Sequence, residues 1–194
     1  MNIVTKEFEL LFERIEALIR TKKQVLVAID GNSGAGKSTL AEKLRLKVDC
    51  NIFRMDDFFL QPFQRKPERL AESGGNIDYE RFGEEVLTPL LTGKSFIYRR
   101  YDCVSGDINK GKKISVQPAQ LNIIEGVYSM HPRFGDVYDL KVFLKVGEKE
   151  QHRRLKERNP ALLPQFLNEW LPMEKLYFET FGIEDSCQLI IKEK

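Results

Sequence analysis

Cysteine is scarce in this sequence. Cys50, Cys103 and Cys187 stand far apart with no CxxC pair, so neither a disulfide framework nor a thiolate metal site can be built from them. They read as reduced thiols and point to the cytoplasm. His131 and His152 are the only histidines, and they match no metal-ligand spacing. Excess charge is also missing: the formal net charge is +2 at pH 7, without the strongly basic face of a nucleic-acid binder. No apolar run approaches the roughly 20 residues that cross a bilayer. Met1 to Glu7 lacks a basic segment leading into an apolar one, so no export signal is expected. Repeats, low-complexity tracts and linkers are absent too. The 194 residues, 42% of them hydrophobic, are therefore expected to form a single domain spanning 1–194, with residues 1–22 as a leading amphipathic helix.

What is present is an alternation of short apolar runs with helical patterns. Val25–Ile29, Ile52–Met55, Leu121–Glu125, Lys141–Val146 and Leu189–Ile191 read as buried strands. Phe8 to Ile19, Ser38 to Lys47, Tyr79 to Leu91, Glu148 to Arg158 and Leu162 to Phe181 carry helical spacing, the last interrupted by Pro164 and Pro172. Phe96–Tyr98 and Ile114–Val116 flank a turn-rich stretch and suggest a β-hairpin. Gln61 to Asn76, with Pro62, Pro67, Gly74 and Gly75, reads as a loop. Strand–helix alternation implies an α/β fold with a parallel sheet covered on both faces.

The chemistry is announced by Gly31-Asn32-Ser33-Gly34-Ala35-Gly36-Lys37-Ser38, an unbroken GxxxxGK[ST] between a strand and a helix. Glycines let the backbone turn its N–H groups inward onto phosphate oxygens. Lys37 supplies a point charge for the β- and γ-phosphates, and the Ser38 hydroxyl is a magnesium ligand. ATP and Mg²⁺ are the expected cofactors. Asn109-Lys110-Gly111-Lys112 lacks the aspartate of a guanine-reading motif, and Ser73-Gly74-Gly75 is out of place for a transporter signature. Asp56 and Asp57 follow the second strand, at the sheet edge where such folds bind ligands. A carboxylate there can accept a hydroxyl proton during phosphoryl transfer. Glu125 ends the next strand and is placed to join the magnesium shell. Arg153, Arg154, Lys156 and Arg158 share one helix, either as a phosphate clamp or as a solvated face. Trp170, Tyr177, Phe178 and Phe181 read as core.

Together these segments resemble the uridine kinase family, within the set that includes phosphoribulokinase and bacterial pantothenate kinase. The resemblance runs from about Val25 to Ile191. It rests on Gly31 to Thr39, Met55-Asp56-Asp57-Phe58-Phe59, Asn76-Ile77-Asp78, Tyr101-Asp102-Cys103-Val104-Ser105, Ile124-Glu125-Gly126 and Arg153 to Arg158. It implies a P-loop three-layer sandwich with a five-stranded parallel sheet of order 2-3-1-4-5 and a hairpin over the acceptor site. It implies Asp56 as base on a sugar hydroxyl and Glu125 beside magnesium. Phe59 and Tyr101 would lie near the nucleoside, Asp78 on the ribose hydroxyls, and Arg154 and Arg158 in a lid over the phosphates. Three departures stand out. Gly106 occupies the place of the family's base-contacting histidine, the lid reads Glu157-Arg158-Asn159-Pro160 and is one arginine short, and Arg65-Lys66-Pro67-Glu68-Arg69 is more basic than usual, which with Arg99 and Arg100 suits an acceptor carrying phosphate or carboxylate. The expected function is an ATP-dependent kinase of a small-molecule hydroxyl. Uridine or cytidine comes first as acceptor, and a vitamin, sugar or sugar phosphate second. A non-catalytic ATP-binding regulator is the rival class, and a homo-oligomer is left open.

Overall fold

The computed structural model describes residues 5–192. Residues 1–4 of the expected leading segment lie outside them; the helix there spans Thr5–Thr21. The first strand, β1 (Val25–Gly31), is buried along its whole length. It runs two residues beyond the expected end at Ile29, because Asp30 and Gly31 still pair with Phe143 and Leu144. The strands that follow are β2 (Cys50–Arg54), the hairpin pair β3 (Phe96–Arg99) and β4 (Lys113–Val116), then β5 (Leu121–Glu125), β6 (Leu140–Lys145) and β7 (Leu189–Lys192).

The main sheet is parallel throughout, in the order β2-β5-β1-β6-β7. Numbered without the two hairpin strands, that order reads 2-3-1-4-5. Alternate residues of each strand feed two cores. Val25, Val27 and Ile29 join Leu11, Ile15, Leu40 and Leu44 on one face. Leu26 and Ala28 join Phe53, Phe82, Phe143 and Tyr177 on the other. Both faces are dry, which is why these strands read as continuous apolar runs.

Four more stretches differ from the sequence reading. Met55 leaves the second strand and opens a tight 3₁₀ turn, Met55–Phe58, with its side chain buried in the core that holds Phe53 and Phe58. Val146 falls just past the end of β6. The Gln61–Asn76 loop contains a 3₁₀ turn at Pro62–Gln64 and a helical turn at Pro67–Leu70. The Leu162–Phe181 pattern resolves into short pieces and one regular helix, Leu171–Phe181. Pro164 and Pro172 sit in first turns, where a missing N–H costs nothing.

Ile123 lies at the centre of β5 with no exposed surface. Ile123→Ala should cost about 2–5 kcal/mol by chemical denaturation, the range for a buried Ile truncation. A loss below about 1 kcal/mol would mean that this layer is not close-packed.

Candidate functional site

The site grows from the carboxyl ends of β1, β2 and β5. Gly31 has φ +133°, and a Cβ there would fall inside the Leu144 carbonyl of β6. Glycine is required at that point, and the chain then turns through Gly34 (φ +78°) and Gly36 (φ +88°) into the Lys37–Arg45 helix. Lys37 is nearly buried. Its Nζ donates to the Gly31 carbonyl at 2.7 Å and the Asn32 carbonyl at 2.9 Å, so the ammonium lies over its own loop. Ser38 and Thr39 stand exposed at the helix start.

Two acidic residues that the sequence reading missed hold this loop. Asp30, wholly buried, accepts from the Gly31 N–H (2.7 Å), the Met130 N–H (3.2 Å) and the Tyr177 hydroxyl (2.9 Å). Burial raises its pKa to about 6 despite Lys37 and these donors. Glu174, one turn before Tyr177, takes the Ser33 N–H at 3.0 Å and the Ser33 hydroxyl. Burial raises its pKa as well, opposed by Lys37. The Leu171–Phe181 helix therefore grips the phosphate loop at two points. The only signal in the sequence was a Glu and a Tyr three residues apart on an apolar stripe. Tyr177 belongs to the core as expected, and it also carries this bond.

Glu125, at the end of β5, is almost fully buried. Burial raises its pKa, while Ser38, Lys37 and Arg54 favour the ionised form. After it, Gly126 adopts φ +134°, and a Cβ there would stand 2.8 Å from the Met55 Cβ. That close approach sets the Met55–Phe58 turn against the end of β5. Asp56, on this turn, is exposed, and its charge is felt at Glu125 and at Cys103 of the hairpin loop. Asp57 points the other way and is buried, with Arg100 Nε at 3.1 Å and the Tyr98 hydroxyl at 3.0 Å. The two neighbouring aspartates thus have separate surroundings. Burial raises the Asp57 pKa, with Arg100 opposing.

The residues expected on the acceptor side, Phe59 and Tyr101, come together next to the Met55–Phe58 turn. The Tyr101 N–H donates to the Asp57 carbonyl at 2.9 Å, and the Tyr101 ring meets Phe59 edge-on with centroids 6.1 Å apart. Asp78 is buried. It caps the Tyr79–Phe82 turn through the Arg81 N–H, and its second oxygen takes Gln64 Nε2 at 2.9 Å. A sugar diol would have to displace Gln64 to reach it. On the Glu148–Arg158 helix, Arg154 donates to the Gly34 carbonyl at 3.1 Å and to Glu150. Arg158 lies over the Phe166 ring instead, 5.3 Å from its centroid. Arg153 pairs with Glu150 and Glu157 on its own helix, the solvated face of the two sequence readings. His131 is a packed ring stacked on Tyr79.

No cluster of three or more His, Cys, Asp or Glu able to hold a metal occurs among the described residues. The Ser38 hydroxyl and the Glu125 carboxylate nevertheless suit a magnesium ion, which takes few protein oxygens and completes its shell with phosphate and water.

With that geometry in view, residues 26–156 match the model of the phosphoribulokinase / uridine kinase family. The chain belongs to that family. It is a phosphotransferase with a hydroxyl acceptor, and its substrate is a small molecule. It is 28% identical over 188 residues to a uridine kinase of Mycoplasma pneumoniae, covering 88% of this chain and 86% of that one. It is 25% identical over 186 residues to uridine-cytidine kinase C of Dictyostelium discoideum, covering 90% of this chain but 41% of the relative. Its fold matches the structure titled as a possible uridine kinase from Bacillus stearothermophilus, with TM-score 0.73, 20% identity, and 96% and 97% coverage.

Asp30 supplies a pH signature. Its folded pKa, about 6, lies above the ordinary 3.8, so the folded state favours the protonated acid. The stability it confers is complete below about pH 4 and is lost as pH rises through 6. Relative to the native chain, Asp30→Asn should gain on the order of 2–3 kcal/mol between those limits, read by urea unfolding at several pH values. A pH-independent difference would contradict the assignment.

Proposed function

We propose that this kinase uses ATP and Mg²⁺ to phosphorylate the hydroxyl of a small metabolite, with Asp56 as the general base. One observation carries the reading. Of the carboxylates around the cleft, Asp30, Asp57, Asp78, Glu125 and Glu174 each have a hydrogen-bond or ion-pair partner. Asp56 has none among the described residues, and it stands exposed beside Glu125. An unpartnered carboxylate next to a phosphate loop is free to receive a proton.

In this account the amides of Gly34, Gly36, Lys37, Ser38 and Thr39 and the Lys37 ammonium hold the ATP phosphates, while the Gly31, Asn32, Ser33 and Ala35 N–H groups of the expected set bond within the protein. For that, Lys37 exchanges the Gly31 and Asn32 carbonyls for phosphate oxygens. Ser38 and Glu125 would hold Mg²⁺, which supplies charge neutralisation on the phosphates when bound. Arg154, against Gly34, is positioned over the same loop, and Arg158 follows one turn later on that helix. Phe59 and Tyr101 bound the acceptor, whose hydroxyl gives its proton to Asp56 as the oxygen attacks. The arginines and aromatic wall limit water access, so that the alcohol and not solvent is the acceptor.

The names of the relatives support uridine or cytidine as the first acceptors to try. A second reading, an acceptor already bearing phosphate or carboxylate, is favoured by the occupied Asp78 carboxylate and by Gly106 in the hairpin. Among the described residues no helix is long and apolar enough to cross a membrane.

Asp56→Asn should lower phosphoryl transfer by about 10² to 10⁴-fold, the usual contribution of a general base. ATP binding by calorimetry should stay within a few-fold of the native chain. Full transfer activity in that variant would remove Asp56 from the mechanism and favour a different base.

A further inference from the structure

The acceptor wall contains several arginines, and the fold neutralises nearly all of them. Arg54 pairs with Glu42 and Glu125. Arg69 pairs with Glu80. Arg81 pairs with Glu85 and lies by Asp78. Arg100 pairs with Asp57. Within the loop Arg69 is paired, while Arg65 and Lys66 have no carboxylate partner among the described residues; Arg99 of the hairpin donates to Asn109, and of these three only Arg65 bonds the Phe59–Tyr101 wall through its side chain.

Arg65 is different. Its guanidinium donates from Nε to the Leu60 carbonyl at 3.1 Å and from Nη2 to the Tyr101 hydroxyl at 3.0 Å. Both partners are neutral, and no carboxylate pairs with it among the described residues. The two bonds fix the plane of the fork and leave most of its N–H donors without a protein partner. The Tyr101 hydroxyl that it holds is also the atom beside Gly106, 3.4 Å from where a Cβ on that glycine would be. Any larger residue at 106 would crowd this spot. Tyr101 is tied through its backbone to Asp57, next to Asp56, and through its ring to Phe59. The wall thus links an oriented cation, on the Tyr101 hydroxyl, to the exposed Asp56, next in sequence to the Asp57 carbonyl that the Tyr101 N–H bonds. The carboxylate that could have bound a diol, Asp78, is already bonded to Gln64.

We infer that Arg65 is the specificity-determining residue of the acceptor pocket, selecting a hydroxylated acceptor with an anionic group, carboxylate or phosphate, at the end remote from the reacting hydroxyl. This rests on the phosphotransfer reading with Asp56 as base. In the step itself the acceptor O–H bond breaks with its proton passing to Asp56. The oxygen bonds the γ-phosphorus, and the bond from that phosphorus to ADP breaks with ADP leaving. Arg65 takes no part in these exchanges. It holds the far anion through its planar fork, a geometry that lysine reproduces only as a point charge.

The test compares matched acceptors that differ by one anionic group: orotidine against uridine, glycerate against glycerol, gluconate against glucose, and glycerol phosphate against glycerol. ADP release with Mg-ATP is measured for the native chain, Arg65→Gln and Arg65→Lys. The native chain should favour the charged member of at least one pair by tenfold or more in kcat/KM, mainly through KM. The carboxylate and phosphate pairs show which anion is meant. Arg65→Gln should bring the preference to within about threefold, and Arg65→Lys should restore part of it. Preference for the neutral members by the native chain, or a preference for charge that survives in Arg65→Gln, overturns the assignment while transfer itself stands. Turnover of no member by a chain that binds ATP overturns the phosphotransfer reading, and the assignment with it.

Discussion

The whole site depends on the passage of Gly31 against the Leu144 carbonyl, a contact that excludes even one carbon of side chain. Because β1 lies between β5 and β6, its last residue is held from both sides. The chain must turn there: the Gly31, Asn32, Ser33 and Ala35 N–H groups bond within the protein, and the turn leads into a helix whose first N–H groups have no partner inside the helix. Lys37 folds back onto Gly31 and Asn32 from the first turn of the following helix. A cation and an array of N–H donors are thus assembled before any ligand arrives. On binding, Lys37 would exchange these two carbonyls for phosphate oxygens, while the N–H groups of the helix start are already in place.

The acidic residues around this point divide by environment. Asp30 and Glu174 brace the phosphate loop from the Leu171–Phe181 side. Asp57 anchors the hairpin through Arg100 and Tyr98, and Asp78 caps a helical turn. Glu125 stays by Ser38 and Arg54. Burial works against charge on most of these groups, and each is held by specific donors, as buried carboxylates must be. What remains is Asp56, carried into the cleft on the Met55–Phe58 turn that Gly126 allows to pack so tightly. Neighbours in sequence, Asp56 and Asp57 differ because a 3₁₀ turn leaves one carboxylate exposed and buries the other against Arg100 and Tyr98.

The phosphate loop, the strands and the hairpin were legible in the sequence because their signals are local. A glycine-rich turn between a strand and a helix needs no distant partner to be recognised, and a two-faced buried strand shows as an unbroken apolar run. The loop bracing was not legible. The Asp30 bond to Tyr177 and the Glu174 bond to Ser33 join residues more than a hundred positions apart. Asp30 stood just beyond the expected strand end at Ile29, and Glu174 drew no reading. The loop from Gln61 to Asn76 read as irregular, yet its Gln64 closes off Asp78 and its Arg65 faces Tyr101. Those side chains acquire meaning only from the elements folded against them. The Arg158 stacking on Phe166 was hidden for the same reason.

The central claim is that phosphate passes directly from the nucleotide in the Gly31–Thr39 loop to an alcohol beside Asp56, with that carboxylate taking a proton and not the phosphoryl group. The most direct measurement is the stereochemical course at phosphorus, using ATP made chiral at its γ-phosphate by isotopic labelling. A single in-line displacement inverts the configuration, and inversion is the expected result. Retention would mean two displacements through a phosphorylated side chain, and would contradict the account.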